Sequence, residues 1–453
     1  MIALAASEIA RVTGGRLVGE PTVEVTAPAV IDSRQAEPGG LFAALTGEHA
    51  DGHDFVAAAS SVGAVLALVE REVTEVDVAQ VVVDDVTAAL GRLARHVHDL
   101  LAADGLTTIA LTGSAGKTST KDLLAHLLEP QGPTIAPQGS FNNEWGVPLT
   151  VLRATAETRF LVVEMGARGI GHIATLCAIT PPDVAAVLNV GSAHVGEFGG
   201  LDDTARAKGE IVEALPESGT AVLNLDDRRV RAMADRTRAR VLGFGQDEAA
   251  DVRLTSLELD PSGFPALTLE HDGRSVDVVL PQLGLHHGAN AAAAVALAVA
   301  AGVDFVVAAE RLSSAAARSP HRMARHVTDA GVVVVDDAYN ANPESMAAAV
   351  GWLAAAAGDR GVAVLGPMLE LGADSEALHR SVGELVARSG LRAVVAVGAE
   401  AAPIAEAAGG IGVAVADVTE ALTQLRASLR PGDVVLVKAS RSCRLERVAD
   451  ALR

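Results

Sequence analysis

The sequence predicts an α/β fold of open, largely parallel sheets, and three observations carry that reading. Short apolar runs recur through the chain, at 109–111, 160–163, 184–188, 221–223, 332–335, 362–365 and 434–437, with stretches of helical spacing between them. Several runs end in polar residues, among them Thr112, Glu164, Asn189, Asn224, Asp336 and Lys438, and open α/β sheets bind ligands at that carboxyl edge. The third observation is composition. A hydrophobic content of 49% supports large cores, and an aromatic content of 2% leaves them to be closed by small aliphatic side chains.

At 453 residues the chain has room for about three domains of roughly 150 residues each. A formal charge of −21 argues against a general nucleic-acid or anionic-membrane surface, while leaving room for a phosphorylated metabolite in a locally basic pocket. Cys177 and Cys443 permit one disulfide and form no metal-ligand cluster, so a reducing compartment is expected. The start of the chain lacks a basic segment and carries Glu8 early, which reads as a first helix and not as a signal peptide. The longest apolar run, 291–301, is shorter than the ~18 residues of a spanning helix. The expectation is a cytoplasmic protein with no membrane span.

Residues 3–13 suggest a helix closed by Gly14-Gly15, followed by short strands over 17–30 around Pro21 and Pro28. Arg34, in Ile31-Asp32-Ser33-Arg34 between two strands, is placed to meet a phosphate bidentately. The polar stretch from Thr46 to Phe55 is either a loop gripping a charged ligand or a solvated turn in which Asp54 caps a helix at 56–60. Further strands at 65–68 and 80–83 and a connecting helix at 86–101 close a small first domain near residue 84.

Next comes Thr112-Gly113-Ser114-Ala115-Gly116-Lys117-Thr118, a strand, a glycine turn and a helix start. Backbone N–H groups and the helix N-terminus in such a turn face phosphate oxygens, Lys117 supplies a point charge, and Thr118 is placed for Mg²⁺. The longer form of the motif wants a glycine where Leu111 stands. Lysine usage favours the phosphate reading, because the chain has only four lysines, Lys117, Lys121, Lys208 and Lys438. The stretch Gly139 to Pro148 is a loop over a ligand or a plain connector. Glu164 ends an apolar strand as the acidic partner of a phosphate loop does, or else caps a neighbouring helix. His194, past a strand end among glycines, is a magnesium or phosphate contact or part of a solvated loop. Lys208, on an expected helix, is a functional suspect by scarcity alone.

Residues 251–281 change to short alternating strands, an antiparallel hairpin added to the sheet. Asn290, near the start of an alanine-rich helix, is a helix cap or an adenine contact. Pro320-His321-Arg322-Met323 marks a boundary, after which strands at 332–335, 362–365, 393–397 and 434–437 build a βα-repeating unit without a glycine phosphate loop of its own. Its strand-end groups, with Arg322 and Asp337, are placed to face the phosphate loop across a cleft.

Taken together, these segments resemble the ATP-dependent Mur ligases of peptidoglycan synthesis. The resemblance runs nearly end to end, through Asp32-Ser33-Arg34, the phosphate loop, Ser140-Phe141-Asn142-Asn143-Glu144, Glu164-Met165-Gly166, Asn189-Val190-Gly191 with Ala193-His194, and Ala207-Lys208-Gly209-Glu210. It continues through Asp337-Ala338-Tyr339-Asn340-Ala341-Asn342-Pro343, Leu365-Gly366 with Met368 and Glu370-Leu371-Gly372, and Lys438 with Ser440-Arg441. The family uses the shorter phosphate loop, which accounts for Leu111.

The resemblance implies a small N-terminal UDP-sugar-binding α/β domain (1–84), a central P-loop ATPase-like sheet domain (85–319) and a C-terminal Rossmann-like ligase domain (320–453). It points to the member that joins D-alanyl-D-alanine to UDP-N-acetylmuramoyl-tripeptide through an acyl phosphate, as a monomer. It assigns Gly113, Ser114, Gly116, Lys117, Thr118 and Ser119 to the phosphates of ATP, and Asn290, Arg322, Asp337 and Tyr339 to adenosine and phosphates. Of two implied Mg²⁺ ions, Thr118 and Glu164 would hold one, and His194 and a carbamylated Lys208 the other. Lys117, Glu164, His194 and Lys208 are thereby the implied catalytic set. Ser33, Arg34, Thr46 and the 51–54 loop with Asp54 are placed near the UDP-sugar, and Asn142, Asn143 and Glu144 toward the peptide.

Three departures stand out: Arg444 where the family usually has glycine, Gly40 where an acidic residue is frequent, and Ala115 for a commonly polar residue. The nearest rivals are a sister ligase adding the third amino acid and a folate polyglutamate ligase. The diaminopimelate-adding sister typically carries Asp-Asn-Pro-Arg, which is absent from this chain. A non-ligating phosphate-loop switch protein leaves Lys208 unexplained and would call for an Asn-Lys-x-Asp guanine motif, also absent.

Overall fold

The computed structural model describes residues 1–47, 50–191, 200–260, 262–316 and 318–453. Among them, strands assemble into one two-stranded pair and sheets of five, nine and six strands, in a three-domain α/β architecture. No helix among the described residues is long and apolar enough to cross a membrane. Both cysteines are free, Cys177 buried and Cys443 half-buried.

The five-stranded sheet runs in the order Arg16–Val18, Ala79–Val82, Leu66–Val69, Leu41–Ala43, Ala29–Val30. All neighbours are parallel except the first pair. The first helix, Ala6–Thr13, starts later than its sequence pattern suggests, because Leu4–Ala5 pairs with Glu24–Val25. The capping expectation for Asp54 is corrected. Asp51 caps, accepting from the His53 N–H at 3.0 Å, and the 3-10 turn Gly52–Phe55 runs straight into the helix Val56–Val62 without a side-chain cap.

The connecting helix Val86–Ala103 is started by Asp85, which accepts from the Ala88 N–H. Its buried face, with Leu90, Leu93, Val97 and Leu101, belongs to one apolar cluster. That cluster also takes in Ile9 of the helix Ala6–Thr13, Leu66 and Leu68 of the first sheet, and Val147, Leu161, Ile173 and Ile211 of the central part. The first sheet therefore shares a core with its neighbour.

The nine-stranded sheet has the order Arg274–Val279, Pro265–His271, Val252–Leu259, Arg240–Gly245, Thr220–Asn224, Val184–Val187, Thr107–Thr112, Phe160–Glu164, Thr134–Ile135. From Thr107–Thr112 the chain goes to the edge strand Thr134–Ile135, returns to place Phe160–Glu164 between the two, then crosses to Val184–Val187 on the other side, so the phosphate loop leaves the sheet at its topological switch point. The expected hairpin is present and continues the main sheet, since Val252–Leu259 joins Arg240–Gly245 in parallel. It turns on Asp272 and Gly273, both with positive φ (48° and 71°), the backbone a two-residue hairpin needs. The helices Lys117–Leu128 and His286–Ala300 pack on each other, and the alanines 291–294 allow a close approach.

The six-stranded sheet has the order Ala324–Val327, Val333–Asp336, Val434–Lys438, Gly361–Leu365, Ala393–Val397, Gly412–Val415, with only the first strand antiparallel. The two edge strands escaped the sequence reading because they are only partly buried and too short for a clear period. The last strand in sequence inserts between the second and fourth in position. The ends of Val333–Asp336, Val434–Lys438 and Gly361–Leu365 therefore meet at one carboxyl edge.

Candidate active site

The phosphate loop is shaped by one glycine. Gly116 has φ 81°, and an added Cβ there would collide with the Asn290 amide oxygen. Lys117 folds back so that its Nζ donates to the Gly113 carbonyl at 2.6 Å. Burial lowers its pKa below the ordinary ammonium range, against the opposing pull of Glu164. The loop is clamped from the next strand end by Asn189, whose Oδ1 accepts from the Ala115 N–H at 2.8 Å and whose Nδ2 donates to the Ala115 carbonyl at 3.1 Å. Ser114 and Gly191 are joined through the Ser114 hydroxyl.

Glu164 is fully buried at the neighbouring strand end. Its Oε2 accepts from the Thr118 hydroxyl at 2.9 Å and its Oε1 from the Asn142 amide at 2.8 Å. Carboxylate and hydroxyl are thus brought together as the sequence suggested, and the helix-cap alternative for Glu164 is set aside. Lys208 is buried on the helix Leu201–Glu213, and burial, reinforced by Lys117, lowers its pKa to about 7. An amine so tuned is substantially neutral near pH 7. His194 lies outside the described residues, and among those described no three His, Cys, Asp or Glu residues gather as a metal-binding group.

The third sheet reaches the loop through Arg322, whose Nη2 donates to the Thr118 hydroxyl at 3.2 Å. Its guanidinium carbon lies 4.0 Å from the Tyr339 ring centroid, and that of Arg441 lies at 5.7 Å. The Tyr339 hydroxyl is hydrogen-bonded to Ser140 Oγ. His321 and Met323, on either side of Arg322, hold positive φ of 60° and 52°. Asp337 forms a buried ion pair with Lys438 at 2.6 Å, and Lys438 also donates to the Asn340 carbonyl at 2.9 Å.

Asn290 is not a cap. The helix begins at His286, four residues earlier, and Asn290 sits buried in its second turn against Gly116. Asn143 closes a turn by accepting from the Gly146 N–H, and Glu144 pairs with His172 at 3.2 Å. Ser119 lies on the first turn of the phosphate-loop helix. Lys121, by contrast, is spent on structure. Its ammonium meets Asp122 at 2.6 Å and donates to the carbonyls of Pro137 and Gly139.

Ser33 and Arg34 follow the strand Ala29–Val30, and Thr46 follows its parallel neighbour Leu41–Ala43, so they share a carboxyl edge of the first sheet. Arg34 does present a bidentate fork, but to Asp32, at 2.9 and 2.7 Å. That pairing lowers the Asp32 pKa to about 2. Thr46 bridges to Asp51. Among the described residues, no hydrogen bond or ion pair joins Ser33, Arg34, Thr46 or Asp54 to the phosphate-loop group. Arg444 adopts a left-handed backbone (φ 50°) after the 3-10 turn Arg441–Cys443. Glycine takes that conformation freely, whereas another residue gives up about 1 kcal/mol. At Gly40, an added Cβ would lie 2.9 Å from the Glu37 carbonyl oxygen, so the local backbone itself disfavours a larger residue.

Sequence reasoning gave no role to Lys438, Asn189 or Glu210. Asn189 and Lys438 stood at strand ends, which was the available signal. Glu210 accepts from the Gly171 and Ala174 N–H groups at the start of the helix His172–Ile179, a partnership no local pattern reveals.

The chain matches three family descriptions in order. These are "Mur ligase family, catalytic domain" over residues 29–98, "Mur ligase middle domain" over 111–298, and "Mur ligase, glutamate ligase domain" over 321–441. It is 44% identical to the UDP-N-acetylmuramoyl-tripeptide–D-alanyl-D-alanine ligase of Mycobacterium bovis, with 100% of this chain and 98% of the relative covered. It is 39% identical to the enzyme of the same name from Escherichia coli K12, with 100% and 99% covered. Among solved structures, MurF from Acinetobacter baumannii superposes with a TM-score of 0.88 at 34% identity, covering 99% of this chain and 98% of that one. MurF ligase from Thermotoga maritima in complex with ADP gives 0.80 at 32% identity, with 94% and 97% covered.

Proposed function

We propose that this chain, which belongs to the Mur ligase family, uses ATP to join D-alanyl-D-alanine to UDP-N-acetylmuramoyl-tripeptide in peptidoglycan precursor synthesis. The observation that carries the reading is the meeting of two sheets at one phosphate loop. Thr118 is hydrogen-bonded to Glu164 of its own sheet and to Arg322, which enters the third sheet. A carboxylate to be activated and an amine to be acylated need such a two-walled cleft. The full-length likeness to enzymes named for this ligation supports the choice of substrates.

In the proposed reaction a carboxylate oxygen of the tripeptide attacks the γ-phosphorus of ATP, ADP leaves, and an acyl phosphate forms. The dipeptide amine then attacks the acyl carbon, loses a proton, and the tetrahedral adduct expels phosphate. Two anions meet in the first step, so positive charge must be in place beforehand. Lys117, held over the loop by Gly113, and Arg322 supply it. Gly113 to Ser119 present backbone N–H groups to the phosphates. Asn290, Arg322, Asp337 and Tyr339 border the nucleotide, while Asn142, Asn143 and Glu144 lie toward the peptide. Ser33, Arg34, Thr46 and Asp54 receive the UDP-sugar at the first sheet's edge.

Mg²⁺ fits the donors present. The Thr118 hydroxyl and Glu164 carboxylate are hard oxygen ligands 2.9 Å apart in a buried setting, and these two would hold it. When bound, it neutralises phosphate charge. A second ion on His194 and a carbamylated Lys208 is part of the same proposal. The lowered pKa of Lys208 supports it, because only the neutral amine adds CO₂. We further propose a monomer acting in the cytoplasm in support of cell growth and division, with domains divided at 84/85 and 319/320.

The reading is tested by following phosphate release from ATP with UDP-muramoyl-tripeptide, Mg²⁺ and D-alanyl-D-alanine. Release that requires the dipeptide is expected, and release indifferent to it would overturn the assignment.

A further inference from the structure

The contacts around the phosphate loop close into a ring. Starting at Ser140, the hydroxyl meets the Tyr339 phenol, and the Tyr339 ring lies against the Arg322 guanidinium. Arg322 donates to the Thr118 hydroxyl, Thr118 donates to Glu164, and Glu164 accepts from Asn142, two residues along the chain from Ser140. The ring crosses between the central part and the third sheet twice, at Ser140–Tyr339 and at Arg322–Thr118. Every member but Ser140 already has a place in the proposed nucleotide, metal or peptide sites.

We propose that Ser140 is a positioning residue. Through the Tyr339 phenol it couples the seating of the third sheet to the orientation of Asn142, and thereby to the Glu164 carboxylate beside the phosphate loop. The proposal deepens the ligase reading and rests on it for its kinetic consequences.

The physical case is one of connection. The stretch 139–145 is irregular backbone with Gly139 in the left-handed region (φ 59°), so its path depends on its side-chain anchors. One anchor is Asn142, whose carbonyl also accepts from the Gly166 N–H at 2.7 Å, just past Glu164. The other is Ser140, and it reaches into the third sheet. Tyr339 is in turn held by its own backbone, since its N–H donates to the His321 carbonyl at 3.2 Å. A shift of the Arg322–Tyr339 pair therefore pulls on both ends of the Thr118–Glu164–Asn142 chain. Withdrawal of the pair releases both ends, leaving the Glu164 carboxylate without its cross-sheet registration. Groups linked in one network of this kind act non-additively when removed, and a double-mutant cycle measures that coupling directly.

Tyr339 is the chain's only tyrosine, so a full-length protein labelled with ¹³C at the tyrosine ζ carbon shows one resonance. Ser140→Ala is expected to move that resonance in substrate-free protein, and Ser140→Thr, which keeps the hydroxyl, to restore it at least in part. In turnover, Ser140→Ala and Tyr339→Phe are each expected to lower kcat by about tenfold. The KM for ATP should change less, and the double variant should be no slower than the slower single one. An unmoved tyrosine resonance in Ser140→Ala overturns the contact itself. Single-variant losses that multiply in the double variant overturn the coupling. A parent chain that fails to turn over with the dipeptide strikes at the ligase reading instead, while the resonance still decides the contact.

Discussion

Lys208 is where scarcity in the sequence and burial in the fold converge. Its ammonium, 3% exposed, has its pKa lowered from 10.5 to about 7. Between those values the unfolded chain holds a proton that the folded chain has shed. Stability therefore rises with pH across that window, and below about pH 7 the folded state bears the full cost of a buried charge. Lys208→Met is expected to be more stable than the parent in metal-free buffer at pH 6.5, with the gap closing toward pH 10, as read from urea midpoints. A gap that is constant with pH would contradict the buried-amine description. At this scale the sequence spoke through residue type. A strand-end carboxylate and a lysine in an arginine-rich chain were legible as chemistry. Partnerships were not. The Arg34 fork closes on Asp32, two residues before it, and Asn290 turned out to lie inside its helix because the helix starts at His286.

At the scale of elements, the phosphate loop depends on a neighbour that a motif does not contain. Asn189 holds both the N–H and the carbonyl of Ala115, so one side chain sets the loop's path from the adjoining strand end. Two half-buried hydrogen bonds of this kind together contribute about 1–3 kcal/mol. Asn189→Ala is therefore expected to weaken ADP binding by roughly tenfold or more while leaving the fold intact, measured by calorimetric titration beside circular dichroism. Unchanged affinity would show that the loop holds its shape without the clamp. Elements with long apolar runs, such as Phe160–Glu164 and Gly361–Leu365, were legible because full burial leaves an uninterrupted signal. The edge strands Ala324–Val327 and Gly412–Val415 were not, since partial exposure admits polar and small residues that blur the period.

On the scale of the whole molecule, three sheets do not make three independent cores. The first sheet and the central part share one apolar cluster through the helix Val86–Ala103, whereas the third sheet is packed by two other clusters, one of which reaches only Leu283, Leu259 and Phe264 of the central part. Leu93 is fully buried in the shared cluster, and Leu93→Ala should cost about 2–5 kcal/mol. Scanning calorimetry of that variant is expected to show the joint transition of the first two parts shifted down, with that of the third sheet little changed. Separate transitions for the first and central parts would contradict a shared core. The sequence suggests a boundary near residue 84, at the end of a run of strands, whereas the core shared across that point is made of contacts between distant residues and is visible only in the fold. In the proposed reaction the phosphate loop activates a carboxylate that an amine then captures. Its most direct measurement uses UDP-muramoyl-tripeptide with ¹⁸O in the reacting carboxyl group, ATP and D-alanyl-D-alanine, with mass analysis of the released phosphate. An acyl phosphate predicts one ¹⁸O carried into each phosphate formed with product, and phosphate free of label would contradict that activation.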